Sequence, residues 1–593
     1  MISAALHPGL LVVAGGLALA ACSGRLRAVI ALAAPLAAAT LVVAAPDGVL
    51  WSGSYLGFEI VPYSVDRLSR LFALIFAVMA FGGALFALKQ PSRLELPAAL
   101  VYAGSAIGAT LAGDVVTLFV FWELMALGST LVIWSAGTPS AYRASMRYMA
   151  IHLLGGVLLL AGLAGHVGHT GSTAFTRLAL DLPAHWLILA GFLVNAGVPP
   201  LSAWLPDAYP EASWSGMVFL SAFTTKTAVY VLLRGFPGTE ILVWIGLFMV
   251  FYGIIYALLE NDMRRILAYS IVNQVGFMVT GVGIGTEAAL NGAAAHAFTH
   301  ILYKALLIMS AGSVLYATGR RKCSDLGGLF RTMPFTTICG TVGALSISSF
   351  PLTSGFVSKS LTVQAAGDQQ LLAVWLLLGA ASAGVFLHAG IKYPWFVFFQ
   401  KDSGLRPPEP PLSMRLGMAL FAALSIGLGV LYEPLYALLP FAVDYVPYTG
   451  WHVVSQLQLL MFSGLAFFAM LPLLRRTLTI TLDTDWIYRR LAPALVDGLA
   501  AALEMAGAAL AKAAHTFAAG VVGFVERHHG IEGVLARTWS TGGMALWAAV
   551  LLAAYLLLYY AEQMDRGFLF LLILPFLIGA LGLWADFHRH DDE

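Results

Sequence analysis

Residues 195–212 read NAGVPPLSAWLPDAYPEA, and residues 347–360 read ISSFPLTSGFVSKS. Both are apolar stretches interrupted by helix-breaking residues, which are Pro199, Pro200, Pro206 and Pro210 in the first and Pro351 and Gly355 in the second. Proline removes a backbone donor, and a carbonyl released inside a bilayer needs another partner. One interrupted helix in each half of a chain is typical of inverted-repeat membrane proteins, whose sites lie beside the breaks.

The composition places the rest of the chain in a membrane. Of its 593 residues, 60% are hydrophobic and 11% are charged, and the mean hydropathy is +0.84. Soluble domains carry about 25% charged residues. We count about 16 or 17 apolar spans of roughly 20 residues, the last two near 543–561 and 566–586. The predicted fold class is an all-α membrane bundle, and a net charge of +1 gives no reason to expect a nucleic-acid partner.

Basic residues cluster on alternate loops between the predicted spans. The clusters are Arg25/Arg27, Lys89/Arg93, Arg143/Arg147, Arg264/Arg265, Arg320/Arg321/Lys322, Lys401/Arg406 and Arg475/Arg476. The positive-inside rule puts these loops in the cytoplasm and the N-terminus outside. The first span has no charged segment before it, so we expect it to be a retained helix rather than a signal peptide. The sequence thus predicts a multi-pass protein of a bacterial inner membrane.

Residues 477–540 differ from the spans around them. Charged side chains recur along this helix-prone segment at Arg489, Arg490, Asp497, Glu504, Lys512 and Glu526. It is too polar to span comfortably, and an amphipathic helix of this length lies along a membrane surface or against neighbouring helices. We expect an amphipathic lateral helix here. It is either a plain surface helix or a strut that touches another membrane protein.

Three ionisable side chains, Glu123, Lys226 and Lys359, lie inside apolar stretches. An ionisable group at bilayer depth costs at least a few kcal/mol, so its default interpretation is functional. Lys226 is more than two helical turns from Arg234, so it does not mark the end of a span. The alternatives are structural. Glu123 would bond a neighbouring helix in its neutral form, and Lys359 would reach the membrane interface.

Two histidines and a lysine follow one another at helical spacing. His296, His300 and Lys304 stand at i, i+4 and i+8, which places them on one face of a helix. Such a stripe covers roughly 12 Å along the helix axis. Histidine titrates near neutral pH and suits a proton relay. Two histidines at this spacing are also half of a metal site, but no third ligand is evident in the sequence, so we predict no metal.

The cysteines give no sign of a redox centre. Cys22, Cys323 and Cys339 are widely separated, and the sequence contains no CxxC pair, no GxGxxG motif after a strand and no P-loop. We therefore expect no cofactor in this chain. Any redox cofactor or nucleotide would belong to partner subunits.

Several of these segments together resemble a known family. They are FWELMALGS, PLSAWLPDAYPEA, SAFTTKTAVYVLLR, NDMRRILAYSIVNQVGF, HAFTHILYKALLIMSAGS and FPLTSGFVSKS. In this order they resemble the antiporter-like proton-translocating subunits shared by respiratory complex I, membrane-bound hydrogenases and Mrp-type cation/proton antiporters. The nearest resemblance is to the D-type subunit of Mrp-type Na⁺/H⁺ antiporters.

The resemblance implies a fold of two inverted five-helix repeats, each with one interrupted helix. It divides the chain into N-terminal transmembrane helices 1–95, a first antiporter-like repeat 96–235, a second repeat 236–400, additional transmembrane helices 401–476, the lateral helix 477–540 and C-terminal transmembrane helices 541–593. By the same resemblance Glu123 matches the family's glutamate and Lys226 its central lysine. His296, His300 and Lys304 match its histidine/lysine stripe, and Lys359 matches the lysine or glutamate of the second broken helix.

One position departs from the family pattern. Family members commonly carry a lysine ahead of the first break, paired with the glutamate, and the aligned residue here is Asn195. An asparagine cannot carry a proton through a charge cycle, so it would only order water or bond Glu123. Either Glu123 pairs elsewhere, for example with Lys226, or the input half of the path is altered.

The function implied is proton translocation in a multisubunit monovalent cation (Na⁺)/H⁺ antiporter of Mrp type. The expected partners are other membrane subunits, and the chain itself is expected to be a transporter subunit rather than an enzyme. One alternative is the same relay in a complex-I-like or hydrogenase redox complex, or in an inorganic-carbon uptake complex. Another is a structural membrane subunit with an inactive relay.

Overall fold

Long helices make up most of the computed structural model, which describes residues 6–473, 483–531, 533 and 541–560. The chain divides into two units, Met1–Arg490 and Leu491–Glu593. The first unit begins with α1 (Pro8–Ala21), α2 (Gly24–Ala44), α3 (Arg67–Ala87), α4 (Glu95–Leu111), α5 (Val115–Trp134), α6 (Pro139–Thr170), α7 (Pro183–Ala196), α8 (Trp204–Ala208), α9 (Gly216–Leu220) and α10 (Thr224–Gly235). It continues with α11 (Ile241–Leu259), α12 (Met263–Ile284), α13 (Glu287–Thr318), α14 (Pro334–Ile347), α15 (Ser354–Asp368), α16 (Leu372–Val385), α17 (Leu412–Val430), α18 (Glu433–Ala437) and α19 (Gly450–Ala469).

Short irregular turns extend or link several of these helices. Those of the 3₁₀ type are Tyr209–Glu211, Cys323–Asp325 and Leu329–Arg331, and those of the π type are Phe386–Lys392, Trp395–Phe399 and Ile487–Leu491. The first two π-helical turns follow α16 directly and lengthen it into one span, Leu372–Phe399.

The helices confirm a multi-pass membrane protein. Within the described residues, twelve helices are long and apolar enough to cross a membrane, and five more are apolar but shorter. The apolar stretches of two spans, Gly216–Gly235 and Met263–Ile284, are fully buried inside the protein. These two spans therefore form the centre of the first unit. The predicted span near 566–586 lies outside the described residues, and the six-segment division of the chain remains a prediction.

A β-hairpin between α2 and α3 was not predicted from the sequence. Strands β1 (Gly48–Tyr55) and β2 (Phe58–Val65) pair antiparallel, with Gly48 opposite Val65. Their turn passes through Gly57, whose positive φ of 83° favours glycine. Asp114 holds the hairpin, because its Oδ2 accepts from the backbone nitrogen of Val61 at 2.8 Å. The hairpin thus covers the start of α5.

Polar caps begin the helices that later carry the site. The Asp114 side chain accepts from the backbone nitrogens at the start of α5, and Asp262 does the same at the start of α12. Thr286 caps α13 after Gly285 ends α12 in the left-handed conformation. These side chains satisfy backbone donors that have no partner within the helix, so the sequence sets these helix starts locally.

The first predicted interruption is present. Helix α7 ends at Ala196, and Gly197 follows with a φ of 77° before the chain enters the short helix α8. The carbonyl of Val194, near the end of α7, accepts from the backbone nitrogen of Gly197 and from the indole Nε1 of Trp204, both at 3.1 Å. The broken ends are therefore joined by a side chain, as a bilayer environment requires.

The second predicted interruption separates α14 from α15. Ser349 and Leu352, in the link between them, have positive φ values of 58° and 68°. Gly355, at the start of α15, packs so closely that an added Cβ would collide with the carbonyl of Ser346. A third interruption, at residues 221–223 between α9 and α10, was not predicted, because SAF carries neither proline nor glycine.

The second unit contains one very long helix. Helix α20 (Ala492–His529) has 38 residues and no buried residue, and α21 (Thr541–Tyr560) follows it. Thirty-eight residues span about 57 Å, nearly twice the thickness of a hydrocarbon core. This length is consistent with the predicted lateral helix. The expectation that the segment is too polar to span is not met, because Ile487–His529 is one of the twelve helices apolar enough to cross a membrane. Of the predicted 477–540 segment, 477–482, 532 and 534–540 lie outside the described residues.

Candidate functional site

Lys226 is fully buried at the third interruption, two residues into α10. Its Nζ donates to the carbonyl of Ser221 at 2.6 Å and to Oγ1 of Thr225 at 3.1 Å. Ser221 is the residue at which α9 ends. The carbonyl end of a helix carries partial negative charge, so the short helix α9 supplies an acceptor for the ammonium.

Hydroxyl groups from three other helices surround the start of α10. The Tyr102 hydroxyl of α4 lies 2.6 Å from Oγ1 of Thr224 and accepts from the Thr224 backbone nitrogen at 2.9 Å. The Tyr148 hydroxyl of α6 lies 3.4 Å from the same Oγ1 and donates to Oγ of Ser129 on α5 at 3.0 Å. This cluster lies beside Lys226, since Thr224 and Thr225 are adjacent in the chain.

His296 connects three helices through its two ring nitrogens. Nε2 lies 3.2 Å from Oε1 of Gln274 on α12, and Nδ1 lies 3.3 Å from Oγ of Ser358 on α15. The Tyr303 hydroxyl donates to the same Gln274 oxygen at 3.2 Å. A ring nitrogen at each end of the imidazole lets one side chain accept a proton on one side and release it on the other.

His300 and Lys304 continue the same face of α13. The imidazole of His300 is fully buried, its ring centre is 6.0 Å from that of His296, and neither ring nitrogen has a partner among the described protein atoms. Lys304 is also fully buried, and its Nζ donates to Oγ of Ser270 at 2.8 Å and to the carbonyl of Leu267 at 3.3 Å. The structure therefore places the predicted stripe on one buried face of α13.

Lys359 lies just beyond the second interruption and is 3% exposed. Its Nζ donates to the carbonyl of Ile347, the last residue of α14, at 2.7 Å. The ammonium also lies 5.1 Å from the centre of the Phe277 ring, which adds a cation–π contact. The alternative in which this lysine reaches the interface is wrong for this structure, because both contacts hold the ammonium inside.

Glu123 and Asn195 lie against two adjacent glycines of α6. An added Cβ at Gly156 would collide with Oε1 of Glu123, and one at Gly155 would lie 3.6 Å from Oδ1 of Asn195. Glu123 Oε1 and both polar atoms of the Asn195 side chain have no hydrogen-bond partner among the described protein atoms. The alternative in which Glu123 pairs with Lys226 is therefore absent from the described contacts. Glu123 and Asn195 both face the same short stretch of α6.

Two cations have structural contacts that the sequence did not indicate. Lys392 donates to the carbonyls of Ala257, Leu258 and Glu260 at 3.1, 2.5 and 2.6 Å, at the end of α11. Arg264, expected only to set topology, is 2% exposed and donates to the carbonyls of Ala212 and Ser213 at 2.7 Å each. The sequence pattern identifies such charged residues, but it does not identify the carbonyls that accept their hydrogen bonds, because these belong to distant parts of the chain.

The contacts assemble the predicted residues into two groups. One joins Lys226 to the hydroxyl cluster, and the other joins the stripe on α13 to Lys359 through Ser358 and the neighbouring helix α15. In the described residues no three His, Cys, Asp or Glu side chains are arranged to hold a metal ion. Buried amines, imidazoles and hydroxyls in hydrogen-bonding contact form an arrangement able to pass protons.

Comparison with known proteins shows which family the chain is similar to. A transmembrane family model, described as NADH:quinone oxidoreductase/Mrp antiporter, matches residues 112–385. The D-type subunit of the Na(+)/H(+) antiporter of Alkalihalophilus pseudofirmus is 31% identical over 358 residues, which are 56% of this chain and 71% of that relative. The chain belongs to the NADH:quinone oxidoreductase/Mrp antiporter membrane family. The matched family region contains every predicted site residue.

Another relative is named as a subunit of an NADH-quinone oxidoreductase. The N-type subunit of the NADH-quinone oxidoreductase of Desulforudis audaxviator is 30% identical over 350 residues, which are 55% of this chain and 70% of that relative. A solved structure, the membrane-bound sulfane sulfur reductase, an archaeal respiratory membrane complex, contains a chain of the same fold. That likeness has a TM-score of 0.67 at 24% identity and covers 93% of this chain and 99% of that one.

Proposed function

We propose that this chain is the proton-translocating subunit of a multisubunit monovalent cation/proton antiporter of Mrp type. The observation that carries the proposal is the set of five buried titratable side chains at Lys226, His296, His300, Lys304 and Lys359. Each would destabilise a membrane protein without a use. Four of them are held by hydroxyls, an amide and the carbonyl ends of interrupted helices, and His300 has no partner among the described protein atoms.

Protons would pass along these five side chains because each can alternate between a protonated and an unprotonated form. A lysine ammonium that releases its proton leaves a neutral amine, which then accepts the next proton. Two positive charges in a poorly polarisable interior repel strongly, so protonation of one group favours release from its neighbour. The unpartnered ring nitrogens of His300 lie between the bonded His296 and Lys304 on the α13 face, where a transient acceptor is needed.

The assignment to an Mrp-type Na⁺/H⁺ antiporter rests on relatedness. The relative from Alkalihalophilus pseudofirmus is named as a Na(+)/H(+) antiporter component, and this chain covers 71% of it. We infer a monovalent cation as the second substrate and other membrane subunits as partners. We also infer a bacterial inner membrane location with the N-terminus outside, following the alternate basic loops.

Inverted membrane vesicles that hold the complete complex test this proposal. After acidification of the lumen, addition of Na⁺ or K⁺ should discharge the pH gradient, measured with a fluorescent pH probe. Lys226→Ala should lower the rate at least about tenfold, in line with the loss of a proton-transfer group. Lys401→Ala, in an exposed loop, is the matched control and should leave the rate unchanged. Full activity in Lys226→Ala vesicles would favour a structural subunit with an inactive relay.

A redox-driven complex is the second candidate. Two observations favour it, namely the 30% identity to the N-type subunit of NADH-quinone oxidoreductase and the shared fold over 93% of this chain with a respiratory complex. Proteins that copurify with the affinity-tagged chain separate the candidates. Small membrane subunits would support antiport, iron–sulfur proteins would support redox coupling, and an inorganic-carbon uptake protein would support the remaining alternative.

A further inference from the structure

A buried histidine on α6 lies outside the predicted relay. His152 is 1% exposed, and its Nδ1 lies 2.9 Å from the carbonyl of Tyr148, four residues earlier. A carbonyl only accepts, so Nδ1 carries the hydrogen of the neutral ring and Nε2 is left with a lone pair. Nε2 has no hydrogen-bond partner among the described protein atoms. The ring therefore presents an unused proton acceptor inside the first half.

This acceptor lies on the part of α6 that Glu123 contacts. Gly155 and Gly156 stand three and four residues after His152, so all three occupy one face of the helix within one turn. The Glu123 carboxylate packs on Gly156 and the Asn195 amide on Gly155. His152 is thus the titratable side chain of α6 closest along the helix to the point where Glu123 meets it.

The other side of His152 leads toward Lys226. Its ring stacks on that of Tyr148, with 3.9 Å between centres and 27° between planes, and meets the edge of Trp204 at 4.7 Å. The Tyr148 hydroxyl contacts Oγ1 of Thr224 at 3.4 Å. The next residue, Thr225, accepts from Nζ of Lys226 at 3.1 Å. The hydroxyls of Tyr148, Thr224 and Thr225 therefore lead from this turn of α6 toward the buried lysine. The His152 ring itself bonds the Tyr148 carbonyl rather than its hydroxyl.

We propose that His152 is a proton carrier between Glu123 and Lys226. The proton leaves the carboxyl oxygen of Glu123 and bonds to Nε2 of His152, giving a carboxylate and an imidazolium. The imidazolium returns to the neutral ring by releasing the Nε2 proton toward the hydroxyls of Tyr148, Thr224 and Thr225, each of which releases one proton as it accepts another. The last of these protons bonds to a Lys226 amine that has released its own. This step rests on the proposed function and gives the first half the titratable group that Asn195 does not supply.

Two substitutions separate proton transfer from packing. His152→Phe keeps a ring between Tyr148 and Trp204 but removes the base, and His152→Gln keeps polarity but also removes it. In vesicles with equal amounts of assembled complex, both should lower cation-dependent proton flux at least about tenfold. The matched control is His166→Gln on the same helix, whose Nδ1 bonds Nε2 of His185 at 3.0 Å. It should retain wild-type flux.

A second-site change tests the assigned role directly. Asn195→Lys places an amine against Gly155, on the same face of α6, and should restore flux to the His152→Phe protein. A purely structural role for His152 predicts full flux in His152→Phe, or a loss that Asn195→Lys does not repair, and either result overturns the inference. Wild-type flux abolished by Lys226→Ala but unaffected by His152→Phe would refute only this carrier, whereas a wild-type complex without flux would refute the proposed function.

Discussion

Lys359 donates its ammonium hydrogen to the carbonyl of Ile347, the residue at which α14 ends, over 2.7 Å. Lys226 makes the same kind of bond, over 2.6 Å, to the carbonyl of Ser221, where α9 ends. Two of the three interruptions, α9/α10 and α14/α15, thus offer a carbonyl end to a lysine of the following helix. A helix break, which would otherwise leave polar backbone in a membrane, is satisfied by the group that carries the charge.

Replacing Lys359 by methionine should reduce cation-dependent proton flux about tenfold or more, because methionine fills similar space but carries no proton. The Ile347 carbonyl loses its donor at the same time, so assembly must be measured as well. Flux in vesicles and the yield of intact complex are the two readouts. Normal flux in Lys359→Met, at normal yield, would exclude this lysine from the path.

Gly156→Ala should impair the complex, because the new methyl group meets Oε1 of Glu123. The carboxylate must then move away from α6. We expect proton flux to fall about fivefold to tenfold, because the Glu123 carboxylate no longer lies close to the proposed proton path. Gly168→Ala on the same helix is the control, since nothing lies within 4 Å of its added Cβ. Equal flux in the two variants would show that the position of Glu123 is not critical.

Gln274→Leu should slow proton transfer through the stripe on α13. The amide oxygen of Gln274 contacts Nε2 of His296 and accepts from the Tyr303 hydroxyl, so leucine removes a shared acceptor. We expect a severalfold loss of flux, about 1 kcal/mol in barrier height for each fivefold. Thr280→Val on the same helix serves for comparison, because its hydroxyl bonds Gly276 within α12.

Asp207→Asn should destabilise the first unit. Asp207 accepts from Arg147 at 2.8 Å through both carboxylate oxygens and also contacts Arg489. The change leaves the Arg147 guanidinium without its carboxylate, which costs about 2 kcal/mol for a charged hydrogen-bonded group, whereas Arg489 keeps Asp485. Thermal unfolding in detergent would report it as a lower Tm. Asp402→Asn, whose arginine partners lie in an exposed loop region, should change the Tm little.

Much of this fold was predictable, because hydropathy and proline act locally. The expected apolar helices are present in the part of the chain that the structure describes, and both proline-containing segments interrupt helices as expected. The hairpin at Gly48–Val65 was missed, since its two strands are short and stand between strongly apolar spans. The break before Lys226 was missed because serine and threonine hydroxyls, rather than proline, surround it.

The sequence indicated which residues would form the site, but it did not indicate which atoms those residues contact. Charge in an apolar stretch singled out Lys226, Lys304 and Lys359, and all three are buried. Their acceptors come from other helices or from the ends of helices, so no spacing rule identifies them. His152 carried no sequence signal, because a single histidine in a helix has no meaning until its ring nitrogen is seen to lack a partner.

The bonds of the buried lysines have an electrical consequence. The ammonium groups of Lys226, Lys304 and Lys359 are held by uncharged oxygens, those of Ser221, Ser270 and Ile347 among them. Two like charges 10 Å apart repel by about 2 kcal/mol at an effective dielectric constant of 20. A potential of 100 mV acts on one charge with about 2.3 kcal/mol. Because these two energies are similar, we expect the protonation of the three buried lysines to depend on the membrane voltage.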